Sequence, residues 1–122
     1  METQKLSFKK QIAGFRYAFS GIGKFILSER NATVHLIATI GVIGMAFLFR
    51  ISTNESIAVT IAIGLVWVTE MLNTCIEKAM NFISVNEHEE IRFIKDVGAG
   101  AVLIASGTAL AIGLFIFIPK ML

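Results

Sequence analysis

Residues 69–77 of this chain read Thr-Glu-Met-Leu-Asn-Thr-Cys-Ile-Glu, which sets two carboxylates and a carboxamide inside an otherwise apolar run. Read as a helix, the stretch places Glu70, Asn73 and Glu77 at i, i+3 and i+7, on one stripe. Met71, Leu72, Cys75 and Ile76 fill most of the rest. A charge at the centre of a bilayer costs roughly 2.5 to 3.5 kcal/mol on insertion scales, so such side chains face a bundle interior or water and mark functional sites by default. The plainer alternative is a buried polar network that only fixes helix register. At about 1.5 Å rise per residue the two carboxylates stand on the order of 10 Å apart along the axis, too far to chelate one ion directly. That separation suits a division of labour. One carboxylate could act as base on a substrate hydroxyl while the other holds a cation on a phosphate, with the transferred group between them.

The elements that must carry this stripe are membrane helices. The chain has 122 residues, 55% of them hydrophobic, and a mean hydropathy of +0.73, which fits one all-α, polytopic membrane domain over residues 1–122. Residues 32–49 have His35 as their only strongly polar member, residues 57–68 are apolar until they meet Glu70, and residues 97–118 carry no charge. Because a span needs about 20 residues, the second helix must count the polar stripe as its end. The predicted layout is an amphipathic surface helix over about 5–28 and membrane helices over about 30–49, 56–82 and 96–118. No signal peptide is expected, since the first 30 residues are basic and amphipathic without a compact apolar region before a cleavage site. The single cysteine, Cys75, permits neither an intrachain disulfide nor a thiolate zinc site and reads as a small packing residue.

In the first segment Phe8, Ile12, Phe15, Phe19, Ile22 and Ile26 recur every three or four residues against Lys9, Lys10, Arg16 and Lys24, the pattern of a helix lying in a membrane interface. Gly21 and Gly23 predict a break near residues 20–23. Ser28 is a candidate N-cap for the first span, and His35 within it reads as a packing residue. Residues 50–56 form a short polar connection between antiparallel helices. Residues 81–96 are the longest polar stretch. Asn86, Glu87, His88, Glu89 and Glu90 have the composition of a solvated loop. Lys95 and Asp96 differ, because Gly98-Ala99-Gly100-Ala101 follows them and small residues let a helix or a ligand approach closely. Pro119-Lys120 is expected to end the third span.

Basic residues orient the chain. Six precede the first span (Lys5, Lys9, Lys10, Arg16, Lys24, Arg30) and three flank the second loop (Lys78, Arg92, Lys95), against Arg50 in the first loop and Lys120 at the end. The excess puts the N-terminus and the second loop in the cytoplasm. Glu29, Glu70, Glu77, Lys95 and Asp96 then gather at the cytoplasmic boundary, where ATP and magnesium are available.

Glu70-x-x-Asn73-Thr74-x-x-Glu77 followed by Lys95-Asp96 and a small-residue run resembles the bacterial integral-membrane diacylglycerol kinase family, which includes undecaprenol kinases. The likeness covers essentially the whole chain, from the amphipathic first helix through Ser28-Glu29-Arg30-Asn31 to three spans in the same order. It implies that Glu70 is the catalytic base with Asn73 supporting the site, and that Glu29 and Glu77 bind the magnesium of ATP. It also implies nucleotide contacts from Tyr17, Lys95, Asp96 and the loop of Asn86, Glu87 and His88, with Lys10 contacting ATP or lipid. It further implies a homotrimer in the bacterial inner membrane with active sites shared between neighbouring subunits. The sequence departs from the family in having Asn81 where many members have aspartate, and Val85-Asn86-Glu87 where Pro-Glu-Tyr or Ser-Glu-Tyr is usual.

The kinase reading also makes chemical sense on the residues. Phosphoryl transfer needs positioning and charge neutralisation: a divalent cation on the phosphates, a cation such as Lys95, and a base for the hydroxyl. Neither a P-loop nor a protein-kinase Gly-rich loop is present, so the nucleotide site is of a separate type. The acceptor is a membrane lipid alcohol; diacylglycerol and undecaprenol both offer a hydroxyl at the interface, and apolar pocket shape alone discriminates weakly. A nucleic-acid partner is not expected. The alternative is a small oligomeric ion or proton transporter, but its ionisable residues gather at one face and only His35 continues towards the other. Three spans are too few to surround a charged stripe, which favours a closed homo-oligomer, with small residues supporting close approach at two places, Gly41 and Gly44 in the first span and Gly98, Gly100 and Ala101 in the third.

Overall fold

The computed structural model describes residues 2–86 and 88–122. They form four α-helices, α1 (Glu2–Ser28), α2 (Arg30–Leu48), α3 (Thr53–Ile83) and α4 (Glu89–Met121), with no strand among the described residues. The chain divides into two compact units, Met1–Ala38 and Thr39–Leu122, so that α2 begins in the first and ends in the second. Helices α2, α3 and α4 are each long and apolar enough to cross a membrane, as 19, 31 and 33 residues. This is an all-α membrane protein.

In the first unit, α1 runs unbroken for 27 residues, which corrects the expected interruption at residues 20–23. Gly21 and Gly23 each cost about 1 kcal/mol against alanine but, unlike proline, remove no backbone hydrogen bond. Phe8, Phe15 and Phe19 stand exposed along α1, as an interfacial helix requires. Ser28 is not an N-cap. Its hydroxyl donates back to the Lys24 carbonyl, because only Glu29 separates α1 from α2 and Ser28 still belongs to the last turn of α1.

The second unit is built on α3 and α4, which pack as antiparallel neighbours: Glu55 near the start of α3 pairs with Lys120 near the end of α4 at 3.1 Å, and Val59 shares a core with Ile116 and Phe117. The second half of α2 adds Val42, Met45 and Ala46 to that core, and Phe49 joins it from just beyond the helix end. The Phe49 and Phe117 rings lie 6.0 Å apart at 56°, within the range of favourable aromatic pairs. A polar tie joins α2 to α3, the Trp67 indole N–H donating to Thr39 Oγ1 at 2.9 Å. The connection between these helices is shorter than residues 50–56 suggested. Ser52 caps α3 in a reciprocal capping box, with the Glu55 N–H donating to Ser52 Oγ at 3.2 Å and the Ser52 N–H donating to Glu55 Oε1 at 2.9 Å.

Helix α4 begins at Glu89, seven residues before the expected 96, and residues 92–96 are therefore helical. Glu89 and Glu90 in its first turn complement the helix dipole. At the other end α4 passes through Pro119 to Met121, where the ring removes one bond to the carbonyl four residues back without stopping the final turn. With about 20 residues enough to span, α3 and α4 both overhang the membrane at the end where they are joined by residues 84–88.

Packing and the polar tie carry different weights. Phe117→Ala should destabilise the second unit by about 3 kcal/mol through an unfilled cavity, whereas Thr39→Val should cost at most about 1.7 kcal/mol, the upper end measured for hydrogen bonds between membrane helices. Denaturant titration of the purified variants in mixed micelles measures both. A larger loss for Thr39→Val would reverse that ranking.

Candidate active site

The polar stripe lies on the second half of α3, where the helix nears its overhang. Glu70 and Asn73 are 4% and 8% exposed and are the two buried polar or charged residues among those described. Glu77, one turn beyond Asn73, is exposed. The stripe is therefore covered within one chain at its first two members and opens outward at its third. Cys75, which its size suggested as a packing residue, is exposed as well and, among the described residues, packs against nothing within the single chain's core.

Helix α4 explains the cover over Asn73. Of the ten glycines, Gly98 is the one whose missing side chain is replaced by a neighbour: a Cβ built there would overlap Asn73 Oδ1, whereas the other nine have nothing within 4 Å. Asn73 Oδ1 is buried without a hydrogen-bond partner. On its other side the Asn73 amide Nδ2 faces Glu77 Oε1 at 3.5 Å, at the long limit of a hydrogen bond. The orientation is chemically reasonable, because turning the amide over would set an oxygen against a carboxylate.

One turn earlier on α4, the half-buried Lys95 donates through Nζ to Asn81 Oδ1 at 2.6 Å. The Lys95–Asn81 and Gly98–Asn73 contacts together set the register of α4 on α3. Asn81 is neutral, so it holds the ammonium group without cancelling its charge. Asp96 pairs with Arg92 at 3.4 Å, with both side chains about two-thirds exposed; such a pair contributes little to stability. In the connection, the Asn86 N–H donates to Ser84 Oγ at 3.1 Å. His88 precedes α4 without a side-chain cap bond. Asn86, His88, Arg92 and Lys95 line one shallow recess, which brings two of the expected loop residues to the same side as Lys95. Glu87 lies outside the described residues.

Lys10, Tyr17 and Glu29 belong to the first unit. Lys10 and Tyr17 are exposed on α1, and Glu29 is half-buried between α1 and α2. Among the described residues, no group of three or more His, Cys, Asp or Glu side chains converges as a metal site would require. A magnesium ion held by one or two carboxylates and completed by substrate phosphates needs no such group. The exposed Glu77 carboxylate, steadied at one oxygen by a neutral amide, is a hard oxygen donor of that kind.

Gly98 and Asn81 are the contacts that sequence reasoning missed. Gly98 was legible only as one member of a small-residue run, and Asn81 only as a departure from the family pattern.

A family model described as prokaryotic diacylglycerol kinase matches residues 16–117, a stretch that includes the whole polar stripe and the Lys95-Asp96 pair. The chain is 35% identical over 107 residues to the undecaprenol kinase of Bacillus subtilis (strain 168), covering 88% of this chain and 87% of that relative. It is 30% identical over 112 residues to the diacylglycerol kinase of Synechocystis, covering 91% of this chain and 64% of that longer protein. These matches give no support to the transporter alternative. With the matching model running from α1 almost to the end of α4, the chain belongs to the prokaryotic diacylglycerol kinase family and is a membrane lipid kinase.

Proposed function

We propose that this kinase transfers the γ-phosphate of ATP, in the presence of Mg2+, to the hydroxyl of undecaprenol, with its N-terminus and active site on the cytoplasmic side of the bacterial inner membrane. The observation that carries the acceptor is the 35% identity to an undecaprenol kinase that extends over nearly all of both chains. Diacylglycerol is the second reading, favoured by the match to a diacylglycerol kinase. Cytoplasmic placement is supported by the excess of basic residues at the N-terminus and around the second loop.

In this reading Glu70 accepts the proton of the lipid hydroxyl as it attacks the γ-phosphorus. Its burial supports the role, since a site closed to bulk water strengthens the electrostatics of transfer. Asn73 supports the site from the same stripe. Glu77 and Glu29 would hold the magnesium ion, which would neutralise phosphate charge. Lys95 places its ammonium group against the phosphates from α4. Asp96, Tyr17, Lys10, Asn86, Glu87 and His88 complete the nucleotide contacts.

The assembly is a homotrimer in this reading. Support comes from Gly41 and Gly44 on α2, which have nothing within 4 Å in the single chain, and from the outward-facing Glu77. Both are features that a neighbouring subunit would cover.

A mixed-micelle assay with γ-labelled MgATP, comparing undecaprenol with diacylglycerol at matched mole fraction, tests the acceptor. Labelled undecaprenyl phosphate should form with the higher kcat/KM. Preferential labelling of diacylglycerol would overturn the choice of lipid, and no labelling of either in a folded, ATP-binding sample would overturn the acceptor class.

A further inference from the structure

We propose that Gly98 is a positioning residue for phosphoryl transfer: by lacking a side chain it lets α4 seat the Asn73 amide so that its N–H group faces Glu77 and presets that carboxylate for a divalent cation. The proposal rests on the reading above in which Glu77 holds the cation.

Three observations meet at one point. Gly98 is buried, and a Cβ there would overlap Asn73 Oδ1, something true of no other glycine in the chain. Asn73 is buried as well, and its Oδ1 accepts no hydrogen bond. The Asn73 Nδ2 group faces Glu77 Oε1. A buried acceptor without a donor is costly, so an amide left to choose its own rotamer would turn that oxygen elsewhere. Here the oxygen is held against the backbone of α4, and the favourable half of the side chain, a neutral donor beside an anion, is kept on the Glu77 side.

The consequence is chemical. A neutral amide orients the carboxylate without cancelling its charge, so Glu77 keeps its full attraction for a cation and loses only rotational freedom. Partners that orient a metal ligand in this way typically change affinity by 10- to 100-fold. A methyl group at position 98 must displace the amide from the position in which its Nδ2 faces Glu77 Oε1. Gly98 itself touches neither substrate nor cation.

The test reads metal binding directly. Full-length protein in micelles, saturated with a non-hydrolysable ATP analogue, is titrated with Mn2+ while free Mn2+ is followed by electron paramagnetic resonance. Gly98→Ala should raise the half-saturating Mn2+ concentration about tenfold. Gly100→Ala, whose Cβ position is open, should titrate like the parent chain. Glu77→Gln should weaken binding at least as much, and adding Gly98→Ala to it should weaken binding no further, because the glycine acts through that carboxylate. If Glu77→Gln shifts the titration and Gly98→Ala does not, the role of Gly98 is overturned while the cation assignment stands. If Glu77→Gln leaves the titration unmoved, the cation assignment fails and takes the role of Gly98 with it. Should Gly98→Ala be recovered only unfolded, Asn73→Leu decides, since it removes the donor at similar volume without adding a Cβ to α4. Parent-like Mn2+ binding by that variant would sink the proposal.

Discussion

Glu70→Gln is expected to lower turnover by about 10²- to 10⁴-fold, the range for loss of a general base, while nucleotide binding stays close to that of the parent enzyme. The substitution keeps the size and most of the hydrogen-bonding shape of a side chain that is 4% exposed, so the packing of α3 should survive. On the proposed role, what is removed is the charged carboxylate that accepts the proton in the transition state. A group needed only there lowers kcat and kcat/KM together and leaves the ground-state affinity for MgATP alone. Turnover in mixed micelles and equilibrium binding of an ATP analogue separate the two effects. A rise in the dissociation constant that matched the fall in turnover would move Glu70 from the chemistry to the nucleotide site.

The parts of this site that were legible in the sequence are those in which one residue contradicts its surroundings. Glu70 and Glu77 stand out because charges are expensive in an apolar helix, and their common stripe with Asn73 follows from helical periodicity alone. Lys95 stands out for another reason, the small-residue run that follows it at the head of the third span. What stayed hidden depends on which residues of two helices come level. Gly98 and Gly100 are equivalent in a small-residue run, and only the register of α4 on α3 makes one of them the seat of Asn73. Asn81 lies fourteen residues from Lys95, a distance over which spacing carries no information until the connection at 84–88 reverses the chain.

Helix ends were misjudged for a related reason. Ser28 has the chemistry of an N-cap, but a cap needs room to leave the helical conformation, and a single residue between α1 and α2 gives none. Ser52 has that room after the turn at Arg50, whose φ of 51° redirects the chain. The Ser-x-x-Glu signature at residues 52–55 was present in the sequence. The burial of the stripe also proved more local than its periodicity implied, since one chain already encloses Glu70 and Asn73 while Glu77 faces outward.

That asymmetry sets up a subunit-mixing experiment on the proposed trimer. Glu70→Gln and Glu77→Gln homotrimers should each be nearly inactive. Glu70 is held inside its own subunit, whereas Glu77 sits where a carboxylate facing hydrocarbon costs several kcal/mol unless water or a neighbour covers it. If the neighbour supplies that cover, a site combines Glu70 of one subunit with Glu77 of the next. In a head-to-tail ring assembled at random from equal amounts of the two variants, a given site receives both intact residues in about one case in four. Activity should therefore rise from near zero to about a quarter of the parent value when the variants are dissociated, mixed and reassembled. It should follow the mixing ratio with a maximum at equal amounts. Mixed trimers verified by two different affinity tags but still inactive would show that Glu70 and Glu77 of one site come from one subunit. The shared-site arrangement for these two carboxylates would then be wrong, and the outward face of Glu77 would have to be covered by water and bound nucleotide alone.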